Sequence, residues 1–184
     1  MRYRTETLSE KELLQLFSIE ENHFNDFKAK GISGGKFSKI ISAFANASGG
    51  DVYIGIREEN DTKIKHWEGF NCIEDANPFF QVIESIPTVE NYYDAEFLQH
   101  PSLMTYVLKV TIFKTQSIIE TTDKKIFVRK GAQSLPVDSM EKRRRLELDK
   151  GISSFEDEPV RESELDDAAQ SEIYKAVSYT HLRA

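Results

Sequence analysis

Short alternating runs and stretches of helical spacing take turns along this chain. Ser9, with Glu12 three residues on, forms a capping-box pattern that predicts a short helix with Leu13, Leu14, Leu16 and Phe17 as its apolar face. Residues 21–29 predict a strand, with Phe24, Asp26 and Lys28 on one face and Phe27 and Ala29 on the other. Gly31, Gly34 and Gly35 predict a flexible connection. Phe37, Ile40, Ile41 and Phe44 then recur at helical spacing, and Gly49-Gly50 supplies the stop.

Asp51 to Ile56 predicts a strand, with a turn at 58–61 and a hairpin return from Lys63 to Trp67. Asn77-Pro78 is a cap-and-N1 pair for a helix through Ile86, ended by Pro87. Strand patterns follow near 92–98, 104–112 and 125–129, and Asp138 or Ser139 caps a last helix through Lys150. Helices set between hairpin-like strands predict an α+β fold: an N-terminal helix over 1–20 and one domain over 21–150.

Composition changes this picture in two places. The 184 residues suffice for a core without disulfides, and one cysteine, Cys72, excludes an internal disulfide and a Cys-rich zinc site. Cys72 itself is expected to be a small buried apolar residue. With no apolar run long enough to span a bilayer, the expected location is the cytoplasm, away from membranes. The net charge of −7 is concentrated at one end: residues 151–184 hold eight acids and three Lys/Arg, leaving 23 acids against 21 Lys/Arg in residues 1–150. The near-neutral body leaves nucleic-acid binding open. Residues 151–176 predict an acidic linker or the start of a missing C-terminal region. V-S-Y-T-H-L-R-A at 177–184 resembles one reading frame of a transposase adapter used for sequencing libraries, so the natural protein is expected to be interrupted near Ala176.

The candidate chemistry is acidic and cationic. Carboxylates hold hard divalent cations, which activate water and neutralise phosphate charge. Glu21 and Asp26 are five residues apart, on opposite faces of a regular strand, so they converge only if Glu21 precedes the strand or a bulge intervenes. Glu58 arrives from the turn after the neighbouring strand. The bland alternative is three ordinary solvated acids. Lys28 shares a strand face with Asp26 and either pairs with it or meets a phosphate. K-G-I-S-G-G-K-F-S looks like a phosphate loop but fails the pattern, because Lys30 stands at its first glycine position and Phe37 where Ser/Thr belongs. Lys36 and Lys39 in and after it remain candidates for backbone contacts, as do Arg129 and Lys130. Arg143-Arg144-Arg145 reads as a solvated helix face, Asn46 and Gly49-Gly50 as structural, and His23, His66 and His100 show no metal spacing.

E-N-H-F-N-D-F-K at Glu21–Lys28, A-F-A-N-A-S-G-G-D-V-Y-I-G-I at Ala43–Ile56 and I-F-V-R-K-G at Ile126–Gly131 resemble the Schlafen AlbA-like domain, the second AlbA-type family, over about residues 12–138. The resemblance implies a nucleic-acid-binding domain of bacterial type, for RNA or DNA. In the Schlafen branch, three carboxylates cleave structured RNA with a divalent metal. Carried over by position, that triad falls on Glu21, Asp26 and Glu58, which would hold Mg²⁺ or Mn²⁺ beside Lys28. Asp26 and Glu58 differ in length from the family's usual acids, and Arg57 replaces the first turn acid. The functions implied are nucleic-acid binding, a metal-dependent endoribonuclease, or an ATP-responsive regulatory module joined to a missing C-terminal effector. A homodimer stays open.

Overall fold

The computed structural model describes residues 3–59 and 61–151, which all fall in one compact unit. The acidic linker beyond Gly151, the adapter-like tail and any effector lie outside the described residues. In chain order the elements are β1 (Arg4–Thr7), α1 (Glu10–Ser18), β2 (Asn25–Lys28), α2 (Gly34–Ala45), β3 (Gly50–Ile54), β4 (Ile56–Glu58) and β5 (Lys65–Trp67). Then come α3 (Asn77–Glu84), β6 (Tyr93–Gln99), β7 (Tyr106–Ile112), β8 (Phe127–Lys130), β9 (Gln133–Pro136) and α4 (Met140–Asp149), with single 3₁₀ turns at Ile73–Ala76 and Val89–Asn91. The fold is α+β, as expected.

Five strands form one sheet in the order β1-β6-β7-β3-β2, and β4-β5 and β8-β9 are separate hairpins. β2 and β3 run parallel, with Asp26 opposite Val52 and Phe27 opposite Tyr53. That parallel pairing needs a crossover, which α2 supplies. Because side chains alternate along a strand, Val52, Ile54, Phe97 and Leu108 join the core built with α2 and α3. Their neighbours Tyr53, Leu98 and Val107 join the other core with Phe27, Ile56 and the α1 residues Leu13 and Leu16. The sheet is covered on both faces.

Local chemistry explains most boundaries. Ser9 and Glu12 complete the capping box of α1, but Leu14 is 70% exposed, so its apolar face is narrower than predicted. The α2 helix starts earlier than expected: Ser33 caps it by accepting from the Lys36 N–H, and Gly34 and Gly35 form its first turn rather than a loose connection. At Gly50, a Cβ would lie 2.4 Å from the Phe44 ring and 2.6 Å from the Phe24 carbonyl, so the helix end and the β2 lead-in approach as closely as glycine permits. Asn46 closes the same end. Its Oδ1 accepts from the Ile119 N–H at 2.8 Å, and its Nδ2 donates to the carbonyls of Ile119 at 2.8 Å and Phe127 at 3.0 Å. One side chain thus ties α2 to the segment leading into β8. Cys72 is exposed, a correction to the buried position expected: it sits at the start of the first 3₁₀ turn, where its N–H reaches the Asp75 carboxylate. Among the described residues, no helix is long and apolar enough to cross a membrane.

Candidate nucleic-acid interface

β2 is an edge strand and shorter than the 21–29 predicted, running only from Asn25 to Lys28. Glu21 therefore precedes it. The Asn22 side chain accepts from the N–H groups of Phe24 and Asn25, turning the lead-in. Glu21 then folds back so that its Oε1 accepts from the Phe27 N–H at 2.9 Å. This meets the condition set by the five-residue spacing. Lys28 Nζ lies 2.9 Å from both Glu21 Oε1 and Asp26 Oδ1. Its third hydrogen bond goes to the Phe27 carbonyl.

Arg129, on β8, closes the other side of Asp26. Its Nη2 lies 3.3 Å from Asp26 Oδ1 and donates to the Asn22 carbonyl at 2.9 Å, while its guanidinium packs 4.8 Å from the centre of the Phe44 ring. Both side chains are almost fully enclosed, at 2% and 3% exposure. Arg129 is a buried clamp, not the surface cation that the sequence suggests. Asp26 Oδ2 is buried without a hydrogen-bond partner. Burial pushes the Asp26 carboxyl above its ordinary range, against the pull of Lys28 and Arg129. At Glu21 burial works in the same direction, but the Lys28 ammonium and the Phe27 N–H outweigh it and hold the group below its usual range. Lys28 is raised: burial opposes its charge, yet Asp26 and Glu21 more than compensate.

Glu58 lies on the other side of the sheet from Asp26. Asp26 pairs in register with Val52 and so faces α2, whereas Phe27 faces the opposite core. Lys65 Nζ sits 4.6 Å over the Phe27 ring and 3.4 Å from Glu58, which places Glu58 on the Phe27 side of the sheet. Lys63 lies 3.3 Å from the same carboxylate. Glu21, at the sheet edge, lines both neighbouring clefts: one with Asp26 and one of about 390 Å³ with Glu58. Among the described residues, no group of three His, Cys, Asp or Glu side chains is arranged to hold a metal ion. As arranged, Lys28 fills the notch between Glu21 and Asp26, and Lys63 and Lys65 lie against Glu58.

Lys65 carries no signal in the sequence. It is a buried lysine whose Nζ donates to the Ile19 carbonyl at 2.6 Å and to that of Phe17. No periodicity marks such a residue, because its hydrocarbon stem packs like an apolar side chain while its head finds carbonyls. Arg57, in the place of the first turn acid, pairs with Glu68 at 3.0 Å.

The cations gather more closely than the acids. A cleft of about 720 Å³ between β2, the start of α2 and the β8–β9 hairpin is lined by Lys28, Lys36, Lys39, Arg129, Glu21 and Asp26, among others. Ser33, the α2 cap, also lines it, so this 12-residue helix begins at its wall. Lys39 lies 4.9 Å from the centre of the Phe127 ring. Lys36 is exposed and makes no ion pair among the described residues. Lys130, next to Arg129, points to the opposite side of β8 and lines a different cleft.

Comparison with known proteins agrees with this architecture. The family model described as Schlafen, AlbA_2 matches residues 21–138. No curated protein matches the chain. Among solved structures, the DIP2311 protein of Corynebacterium diphtheriae is similar at a TM-score of 0.50 and 18% identity, over 75% of this chain and 27% of that one. At that identity the likeness concerns the fold alone, and this chain spans only about a quarter of that protein's length. With the family model matching well over half of its residues, the chain belongs to the Schlafen AlbA_2 family.

Proposed function

We propose that this domain binds nucleic acid along the sheet-edge cleft, with Lys36 and Lys39 as its phosphate contacts. The observation that carries this reading is the convergence of those two lysines on one cleft, beside Ser33 at the start of α2. Lys28 and Arg129 add positive potential but are committed to Asp26, Glu21 and backbone carbonyls, so their role is to shape the wall. Backbone contacts of this kind give weak sequence preference and strong salt dependence. Fluorescence anisotropy with labelled RNA and DNA at low salt tests the reading: binding that weakens steeply as salt rises supports it, and no binding of either polymer refutes it.

A second reading, a metal-dependent endoribonuclease, is favoured by one observation: the unpartnered, buried Asp26 Oδ2 beside Glu21. Glu21 and Asp26 would be the Mg²⁺ or Mn²⁺ ligands. Lys28 would have to leave the notch, and Glu58 would have to exchange its lysines for the metal. Incubation with transfer RNA and Mn²⁺ separates the readings. Cleavage abolished by chelator and by Glu21→Ala would support the nuclease, whereas intact RNA that is nonetheless bound would leave a binding domain.

A further inference from the structure

The β8–β9 hairpin is a ridge with a cleft on each side. Arg129 and Ser134 line the sheet-edge cleft, while Lys130, Leu135 and Pro136 line the other. This second cleft, about 640 Å³, has an apolar floor that includes Val128, Val137 and Leu146. Around it stand four cations, Lys114, Lys130, Lys142 and Arg145, against a single carboxylate, Asp149. Lys142 and Arg145 are engaged by Asp138 and Glu141, each at 2.6 Å. Lys114 and Lys130 are exposed and make no ion pair among the described residues. Burial first, and then the like charge of Lys114, push the nearby Lys150 ammonium down to about 8.

Two exposed aromatic residues lie on chain segments that adjoin the residues lining this cleft. Phe113 and Phe24 are 49% and 53% exposed, a large apolar surface to leave in water. Their backbones converge on the same tight turn. A Cβ on Gly49 would meet the Phe113 Cα at 3.4 Å and the Lys114 nitrogen at 3.2 Å, and one on Gly50 would meet the Phe24 carbonyl at 2.6 Å. His23, edge-on to Phe24, reaches Ser48 at 3.3 Å, and Ser48 lines the cleft. Unpaired lysines on a cleft, with exposed rings on the adjoining segments, are the residue types that single strands use, phosphates on the cations and bases on the rings.

We infer that the cleft behind the β8–β9 hairpin is a second nucleic-acid site, which takes a single-stranded segment with Lys114 and Lys130 on its phosphates and Phe24 and Phe113 stacking its bases. The inference rests on the nucleic-acid reading above and adds to it a distinct surface and a preferred form of the polymer. A protein partner is disfavoured by the two free lysines, since interface cores are depleted of lysine.

The test measures anisotropy of the full chain with labelled oligo-U, oligo-dT and a blunt RNA duplex, for the unaltered protein, Lys114→Ser/Lys130→Ser, Phe24→Ala/Phe113→Ala and Lys36→Ser/Lys39→Ser. The side chains at all six positions reach solvent, so circular dichroism is expected to be unchanged. The lysine pair at 114 and 130 is expected to flatten the single-strand salt slope by about 1.4, at about 0.7 for each phosphate no longer neutralised. The phenylalanine pair is expected to weaken single strands by about tenfold or more while leaving duplex affinity in place. Oligo-U and oligo-dT falling together would mean that the ribose hydroxyl is not read, and loss on oligo-U alone would assign the site to RNA; either result supports the site. If Lys36→Ser/Lys39→Ser weakens binding while the other two pairs change nothing, or if the phenylalanine pair weakens duplex and single strands alike, the second site is refuted and the sheet-edge reading stands. If the unaltered protein binds none of the three, both fail.

Discussion

Replacing Arg129 by Met tests whether the cleft wall is held by a buried charge pair. The side chains of Arg129 and Asp26 are 2% and 3% exposed, and the guanidinium supplies hydrogen bonds to Asp26 Oδ1 and to the carbonyls of Asn22 and Asn25. Met keeps much of the volume over Phe44 but donates nothing. Asp26 would then keep only Lys28, with one oxygen already lacking a partner, and the Asn22 carbonyl would lose the guanidinium, whereas the Asn25 carbonyl keeps the Asn22 N–H. Removing one member of a buried pair typically costs about 3–5 kcal/mol. In a unit of this size that lowers Tm by roughly 6–20 °C. Urea melts of the unaltered chain, Arg129→Met, Asp26→Asn and the double variant make the assay. The double variant should be much less destabilised than the sum of the two singles. A cost below about 1 kcal/mol for Arg129→Met, typical of an exposed pair, would refute the buried clamp.

Asn46→Ala should destabilise by about 2–4 kcal/mol, since it strips partners from the Ile119 N–H and from the carbonyls of Ile119 and Phe127, and a denaturant melt with unchanged slope checks it. Lys150 gives a pH signature: its folded-state value lies at about 8, below the ordinary 10.5, so the unfolded chain holds the proton across that interval. Stability relative to Lys150→Met should therefore rise as pH climbs from about 8 toward 10.5, which melts at pH 7.5 and pH 10 would detect. Acid works the other way at Glu21, whose depressed value adds stability above the ordinary carboxylate range. The advantage of the unaltered chain over Glu21→Gln should shrink as pH falls below about 4.5.

Much of this fold can be read from local pattern, because local interactions build it. The Ser9–Glu12 box, the Phe37–Ile40–Ile41–Phe44 face and the Gly49-Gly50 stop each act within a few residues of themselves. β1 is not legible: its residues, R-T-E-T, carry no alternation of hydrophobicity, and parallel pairing with β6, more than ninety residues away, makes it a strand. β9 escapes the pattern for a similar reason, since its pairing with β8 rather than its composition defines it. At the site, the convergence of Glu21 and Lys28 on Asp26 follows from spacing once Glu21 precedes the strand. The separation of Glu58 does not, because it depends on which side of the sheet the β4–β5 hairpin lies. Arg129 resembles a surface cation in the sequence because strand alternation gives its direction but not what covers it. That cover is α2, anchored against β8 by Asn46.

On the reading proposed above, the sheet-edge cleft engages a phosphate backbone through Lys36 and Lys39. The most direct test compares the salt dependence of RNA affinity for the unaltered chain and for Lys36→Ser/Lys39→Ser, whose side chains project from the first turns of α2. The expected result is weaker binding at low salt and a slope of log Kobs against log[salt] shallower by about 1.4 for single strands. Equal affinity and an identical slope for the two proteins would contradict it.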